Sequence, residues 1–360
     1  MRSGCQHSLH MPIRPRFERA ALFAFLRMPE PVLRRIVGPP ERSADGLVLD
    51  LQAQALVWLM RVAGEAQTRD DDLGRARERL DRRGPLLAGR GRVAVRIADR
   101  MVQGAAGPLR ARVYTGRERN GRAAPGLVWF HGGGFVLGSI ESHEGLCADL
   151  AANAGVVVVS IDYRLAPEHR FPAGVQDAIA ATQWVLDRSS DVGIDARAVA
   201  VGGDSAGGNL AAVVAQSLRG APRPLAFQLL VYPATDATCR EASHRIFRDG
   251  FVLTERDIAW FLDQYLPDPR VASDPRVSPL FADDLSGLPP ALVVTAGFDP
   301  LRDEGRRYAE RMRQAGVEVD HICSEGSLHG FLSTAGAVNE AARVLKRVTD
   351  RIRNQLTRPA

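Results

Sequence analysis

Lysine is almost missing from this 360-residue chain: Lys346 is the only one among 47 basic residues. The positive charge is arginine, mixed with Asp and Glu as in RDDDLGRARERLDRR at 69–83. Without a concentrated basic tract carrying interleaved aromatics, the net charge of +5 describes a solvated mixed-charge surface and no nucleic-acid partner. Cysteine is scarce too. Cys5, Cys147, Cys239 and Cys323 form no CxxC pair and no disulfide rhythm, as expected of a reducing compartment or free buried thiols. No apolar run approaches the roughly 18–20 residues a membrane helix needs. The patch ALFAFL (21–26) is cut by Arg27 and followed by MPEP, too short for a secretory signal. The first 27 residues read as irregular, Met28 is an alternative start, and cytoplasmic residence is the default expectation. Internal repeats and low-complexity tracts are lacking.

What the chain does have is 45% hydrophobic and 25% charged residues, enough to bury a large core without disulfide or metal staples. Short apolar runs suggest strands: VAVRI (93–97), RARVYT (110–115), GLVWF (126–130), VVVVSI (156–161), AVAVG (198–202), AFQLLVY (226–232), ALVVTA (291–296) and VEVDHI (317–322). Helical patterns fall around 144–154, 174–188, 207–218, 303–315 and 335–355. Runs such as VVVVSI lack polar alternation, which suits strands covered on both faces. The fold class is therefore α/β: an eight-stranded, mostly parallel sheet flanked by helices, the first two strands forming an antiparallel edge. Two further segments have helical spacing. In 50–64, Asp50 is an N-cap before a stripe of Leu51, Ala55, Leu59 and Val62. In 254–266, Thr254 and Asp257 make a capping pattern before Ile258, Phe261, Leu262 and Tyr265. These two helices are expected to meet as a cap over one end of the sheet. The resulting division is 1–80 (N-terminal segment and cap helices), 81–235 (first part of the core), 236–272 (cap insertion) and 273–360 (second part of the core).

In AVAVGGDSAGGNLAAVV (198–214), Ser205 lies between glycines where a strand becomes a helix. A tight turn, a phosphate cradle and an exposed nucleophile all use such a junction. Phosphate binding is disfavoured, because neither G-x-x-x-x-G-K-[ST] nor G-x-G-x-x-G is present. Gly203-Asp204-Ser205-Ala206-Gly207 fits G-x-S-x-G in its required strand-to-helix setting, where the glycines avoid collision and the helix start offers N–H groups to an oxyanion. His131-Gly132-Gly133-Gly134-Phe135 follows another strand. Three glycines in a row cost backbone entropy, which makes sense where main-chain N–H groups must approach a ligand. A dinucleotide reading fails there because position 137 is leucine.

A serine nucleophile needs a base and an orienting carboxylate, in the chain order Ser, Asp, His for this sheet type. Asp299 lies 94 residues beyond Ser205 and His329 another 30 beyond that, each just past a strand. Asp303 and Glu304 are rival carboxylates placed in the following helix. His321 lies inside a strand, and His131 is read as a loop brace.

Together HGGGF, YRLAPEHRFPA (163–173), GDSAGGNLAA (203–212), DPLRDEG (299–305) and HGF (329–331) resemble the hormone-sensitive-lipase-like (bacterial family IV) carboxylesterases of the α/β-hydrolase fold, over roughly residues 90–350. The resemblance implies Ser205 as nucleophile, Asp299 as orienter and His329 as general base. It also implies an oxyanion hole made by the N–H groups of Gly133, Gly134 and Ala206, and a helical cap. Tyr163, Arg164, Glu168 and His169 are read as a braced turn with buried polar pairs, and Arg170 departs mildly from the family pattern. The expected reaction is hydrolysis of short- to medium-chain acyl esters, with no metal or other cofactor. The expected partner is a small-molecule ester, with no nucleic acid and no integral membrane segment; a homodimer is compatible. Alternatives are an amide or formamide hydrolase using the same triad, and a non-catalytic small-molecule receptor. Phe135, Phe251, Trp260 and Phe261 are the pocket candidates.

Overall fold

A computed structural model describes residues 13–64, 72–89, 91–116 and 123–356; Cys5 and the first part of the 69–83 charge run lie outside the described residues. The strands are β1 (Val95–Gly104), β2 (Gly107–Gly116), β3 (Ala124–Phe130), β4 (Val157–Ile161), β5 (Ile194–Asp204), β6 (Phe227–Val231), β7 (Ala291–Phe298) and β8 (Val319–Leu328). They join in one sheet of order β1-β2-β4-β3-β5-β6-β7-β8. β2 runs antiparallel to both its neighbours, and the pairs from β4 to β8 are parallel. The expected antiparallel edge is present because β1 and β2 are joined directly, whereas parallel neighbours need a crossover. Every residue of β4, β6 and β7 is buried, which explains their largely apolar character.

The helices are α1 (Ile13–Leu26), α2 (Glu30–Val37), α3 (Leu51–Val62), α4 (Leu73–Leu87), α5 (Glu144–Ala154), α6 (Ala173–Asp187), α7 (Ala206–Ser217), α8 (Ala242–Ile246), α9 (Glu255–Tyr265), α10 (Arg302–Gln314) and α11 (Asn339–Leu356). Side chains of α6, α7 and α10 fill one face of the sheet, and those of α5 and α11 fill the other. Among the described residues no helix is long and apolar enough to cross a membrane.

The N-terminal part differs most from the sequence reading. Residues 13–26, read as irregular, form α1, whose Leu26 packs with Leu33 and Ala55. The charge-rich run becomes α4, and the boundary drawn at 80/81 falls inside it. Charge concealed this helix because its anchor is mostly polar. Arg77 donates to the carbonyls of Val136 and Ala166 and grips Glu168 with both terminal nitrogens at 2.8 Å. In α3 the stripe is also shifted. Ala53, Gln54, Ala55 and Val57 are buried while Val62 is 67% exposed, because the helix is packed on two sides. Its N-terminus is capped by Asp50, whose carboxylate accepts from the N–H groups of Gln52 and Ala53 at 3.0 Å.

The two expected cap helices are connected through the chain between α8 and α9. Ala53 and Val57 of α3 pack with Phe247, Phe251, Phe298 and Leu328, and Arg61 donates to the Gly250 carbonyl. α9 carries the expected Thr254–Asp257 capping box and packs Phe261 and Tyr265 on the main core. Phe247 is the pin in this arrangement: fully buried, 5.5 Å from the Phe298 ring and beneath the Arg302 guanidinium. Phe247→Ala is expected to lower unfolding free energy by about 3–5 kcal/mol, measurable by urea denaturation.

Candidate active site

β5 ends at Asp204 and α7 begins at Ala206, so Ser205 alone makes the turn, with φ 55° and ψ −119°. A residue with a side chain is strained in this region, by about 1–3 kcal/mol, and needs its surroundings to hold it there. The Ser205 N–H donates to the Val231 carbonyl at 2.9 Å, while its own carbonyl accepts from Asn209 at 3.0 Å and Ala234 at 3.2 Å. The turn is thereby tied to β6, to α7 and to the loop after β6.

Asp299 follows β7 and is fully buried; its Oδ1 accepts from the Leu301 N–H at 2.9 Å. β8 runs six residues beyond the predicted strand end, to Leu328, and delivers His329 directly. The His329 ring bridges the other two groups, with Nδ1 2.7 Å from Asp299 Oδ2 and Nε2 2.9 Å from Ser205 Oγ. Three side chains from three strand ends thus form one hydrogen-bonded series, at the carboxyl edge where sites in parallel sheets collect. The rival residues are engaged elsewhere. Glu304 Oε2 meets His244 Nε2 at 2.7 Å, Asp303 accepts from the Ser243 N–H at 3.0 Å, and His321 Nε2 lies 2.9 Å from Thr295 Oγ1.

The glycine loop after β3 lies against this turn. Gly132 N–H donates to Asp204 Oδ1 at 3.0 Å, and the Gly133 carbonyl accepts from Val136 at 3.1 Å and Leu137 at 2.8 Å. Among the described residues the N–H groups of Gly133 and Gly134 have no hydrogen-bond partner. Gly134 has φ +62°, and a Cβ there would come within 2.2 Å of the Phe261 ring. Ala206 is the first residue of α7, where the N–H has no partner within the helix.

The four pocket candidates separate. Phe261 covers Gly134, and Trp260 meets Phe261 edge-on at 5.2 Å. Phe135 is buried under the loop, stacked on Tyr265 at 3.9 Å. Phe251 sits in the cluster that holds α3, with ring centroids 5.3 Å from Phe298. In the 163–173 turn, Arg164 grips buried Asp177 and Tyr163 donates to the His131 carbonyl, but Glu168 and His169 are exposed, so that part of the turn is braced at the surface. Arg170 donates to the Leu266 carbonyl at 2.8 Å. Tyr232 was not anticipated: its ring lies 4.9 Å from His329 on backbone of φ 34°. Its only sequence signal is its position at the end of a buried strand.

His131 braces the loop as expected. Its Nδ1 donates to the Gly132 carbonyl at 2.8 Å, its ring stacks on Tyr163 at 4.4 Å, and Nε2 finds no partner among the described residues. Burial first, and then the neighbouring His143, push its pKa down to about 3. An unfolded chain would protonate this ring near 6.5, so its contribution to stability is complete above that pH and is lost progressively as pH falls towards 3. Replacing His131 by Asn is expected to flatten the acid side of the stability–pH curve between about pH 6 and 4.5, by up to about 1.4 kcal/mol per pH unit. Urea titrations across that range check it.

The α/β-hydrolase-fold family model matches residues 127–333. The carboxylic ester hydrolase LipN of Mycobacterium tuberculosis is 42% identical over 341 residues, covering 90% of each chain. An ethyl acetate hydrolase of Pseudomonas putida is 41% identical over 237 residues, covering 65% of this chain and 74% of its own. Among solved structures, an ester hydrolase from the Lake Arreo metagenome superposes with TM-score 0.81 at 38% identity, covering 85% of this chain and 98% of its own. A hyperthermophilic esterase from the archaeon Pyrobaculum calidifontis gives 0.76 at 42%, covering 82% and 96%. The chain belongs to the α/β-hydrolase family, in its hormone-sensitive-lipase-like carboxylesterase branch.

Proposed function

We propose that this carboxylic ester hydrolase works through an acyl-enzyme, with Ser205 as nucleophile, His329 as general base and Asp299 as its orienting anion. The observation that carries the reading is the unbroken series Ser205 Oγ, His329 Nε2, His329 Nδ1, Asp299 Oδ2, at 2.9 and 2.7 Å. His329 takes the hydroxyl proton as Oγ attacks the ester carbonyl, and the buried Asp299 carboxylate stabilises the imidazolium so formed. The carbonyl oxygen becomes an oxyanion, received by the N–H groups of Gly133, Gly134 and Ala206. As the tetrahedral intermediate collapses, His329 gives its proton to the leaving alkoxide. Water then attacks the acyl-serine as His329 takes one of its protons, and His329 passes that proton to Oγ as the intermediate collapses and the acid departs. No step requires a metal or organic cofactor.

The substrate is read as a small acyl ester of short or medium chain, with no nucleic acid involved. Phe261 closing over Gly134 favours a bounded acyl site, and the name of the Pseudomonas relative, an ethyl acetate hydrolase, agrees with a short acyl group. Residence in the cytoplasm and assembly as a homodimer remain compatible with this reading.

Ser205→Ala is expected to abolish p-nitrophenyl ester cleavage and fluorophosphonate labelling while circular dichroism stays unchanged; retained turnover would refute the triad. Asp299→Asn is expected to lower kcat by about 10³–10⁴-fold, as loss of the orienting anion does in other triads. Across p-nitrophenyl esters from C2 to C16, kcat/KM is expected to peak at or below about C8, since a bounded site has a limited apolar length to bury. Matched anilides are expected to turn over far more slowly than esters, and the reverse order would favour the amidase reading.

A further inference from the structure

Beneath the glycine loop lies a second buried histidine–carboxylate pair that the triad does not use. His143 and Asp204 are 6% and 4% exposed, with His143 Nε2 3.2 Å from Asp204 Oδ2. The other ring nitrogen, Nδ1, is 2.8 Å from Ser142 Oγ. The surrounding hydrogen bonds determine where the protons sit. Ser142 Oγ donates to the Ser139 carbonyl at 2.9 Å and accepts from the Ser139 N–H at 2.9 Å. The Ser139 carbonyl can only accept, and with the single Ser142 proton placed on it Nδ1 is the donor to Oγ. Nε2 faces an ionised carboxylate, which can only accept, so Nε2 must be a donor as well. A ring that donates from both nitrogens is an imidazolium. The Gly132 N–H is 3.3 Å from Nε2 but 3.0 Å from Asp204 Oδ1, and it goes to the carboxylate.

We propose that His143 is a positioning residue of the esterase reaction: as an imidazolium clamped between Asp204 and Ser142, it fixes the main chain of Gly132 and so aims the oxyanion donors that follow. This rests on the oxyanion-hole reading of Gly133 and Gly134. The same Asp204 carboxylate receives His143 on one oxygen and Gly132 on the other, and Asp204 immediately precedes Ser205. One side chain thus ties the nucleophile turn to the oxyanion loop. The series also continues into the cap, because Ser139 Oγ accepts from the Ser142 N–H and donates to Asp81 of α4.

The charged and titratable groups around the ring agree with a cation. Asp204 faces it from the nucleophile turn, and Asp81 acts from α4. His131, from the loop, is neutral and lies 5.6 Å away between centroids. Glu141 is held by Arg110 and Arg112, and Glu144 by Arg112. Cys147 of α5 and Tyr163 are buried, and burial pushes both pKa values up, so they stay neutral. Burial opposes the charge on His143, but Asp204 outweighs it and the ring titrates above its ordinary value. Asp204 in turn is held below its ordinary value, the imidazolium outweighing burial. The paired charge is lost as pH rises through the His143 value.

The test is His143→Gln, followed by kinetics per fluorophosphonate-titrated site. A loop that has lost its aim should lower kcat by about 10–100-fold with KM within about twofold. Affinity for a trifluoromethyl ketone, which forms the oxyanion adduct, should fall in the same ratio as kcat. The wild-type kcat profile should decline on the alkaline side, and that limb should vanish in the variant. A lowered Tm with unchanged kcat per titrated site would mean a merely structural histidine and would overturn the proposal. Should His143→Gln fail to fold, Ser142→Ala removes the Nδ1 acceptor together with the two Oγ bonds to the Ser139 backbone, and is expected to lower kcat by about 3–10-fold and move the alkaline limb to lower pH; unchanged kcat and profile would overturn the proposal. Turnover by Ser205→Ala would sink the triad reading instead, so the two failures are distinguishable.

Discussion

The site depends on how closely two chain segments approach where β3 and β5 end. A Cβ on Gly207 would lie 1.9 Å from the Phe130 carbonyl oxygen, and one on Gly132 would lie 2.5 Å from an Asp204 carboxylate oxygen. Side chains at either place would push the nucleophile turn away from the glycine loop. Because both positions are bare, the last turn of one strand can lie against the first turn of the helix that follows the other. The strained Ser205 backbone is tolerable because β6, α7 and the loop after β6 hold it on three sides, so the cost of φ 55° is met by contacts already in place.

Arginine holds the outer parts onto this centre. Its planar fork can grip a carboxylate and several carbonyls at once, which a lysine ammonium cannot do with the same geometry. Arg77 joins α4 to the segment after the glycine loop and to the 163–173 turn. Arg302, at the start of α10 beside Asp299, reaches Asp45 of the N-terminal part at 2.7 Å and covers Phe247. Arg110 and Arg112 of β2 collect Asp99, Glu141, Glu144 and Asp162 at the sheet edge. A composition that looked like a featureless charged surface includes several specific braces. The pairs that are mostly exposed, such as Arg197–Asp195, add little to stability.

The sheet and the serine turn were legible because their signals are local. Unbroken apolar runs identify buried strands, and a serine flanked by glycines at a strand–helix junction has few competing explanations. Asp299 and His329 were legible through the order of chain and sheet, since each directly follows a strand. The cap was not. α4 buries only Ala76 outright and attaches by polar contacts, so its apolar periodicity is weak. α3 packs two sides, into the Phe247 cluster and against Leu26 and Leu33, which blurs the single stripe on which helical pattern reading relies. Phe251 looked like a pocket residue by composition, yet it belongs to the cluster under α3.

By itself, then, the sequence determined the strand content, the nucleophile turn and the identity of the three groups that converge there, because each is written in neighbouring residues whose backbone demands are specific. Tertiary structure alone decided which arginines are braces, which aromatics reach the glycine loop, and which groups surround the His143 ring. Those depend on partners far along the chain: Asp204 is 61 positions from His143 and Glu168 is 91 from Arg77. A charge or a proton is assigned by what surrounds it in space, and no local pattern contains that.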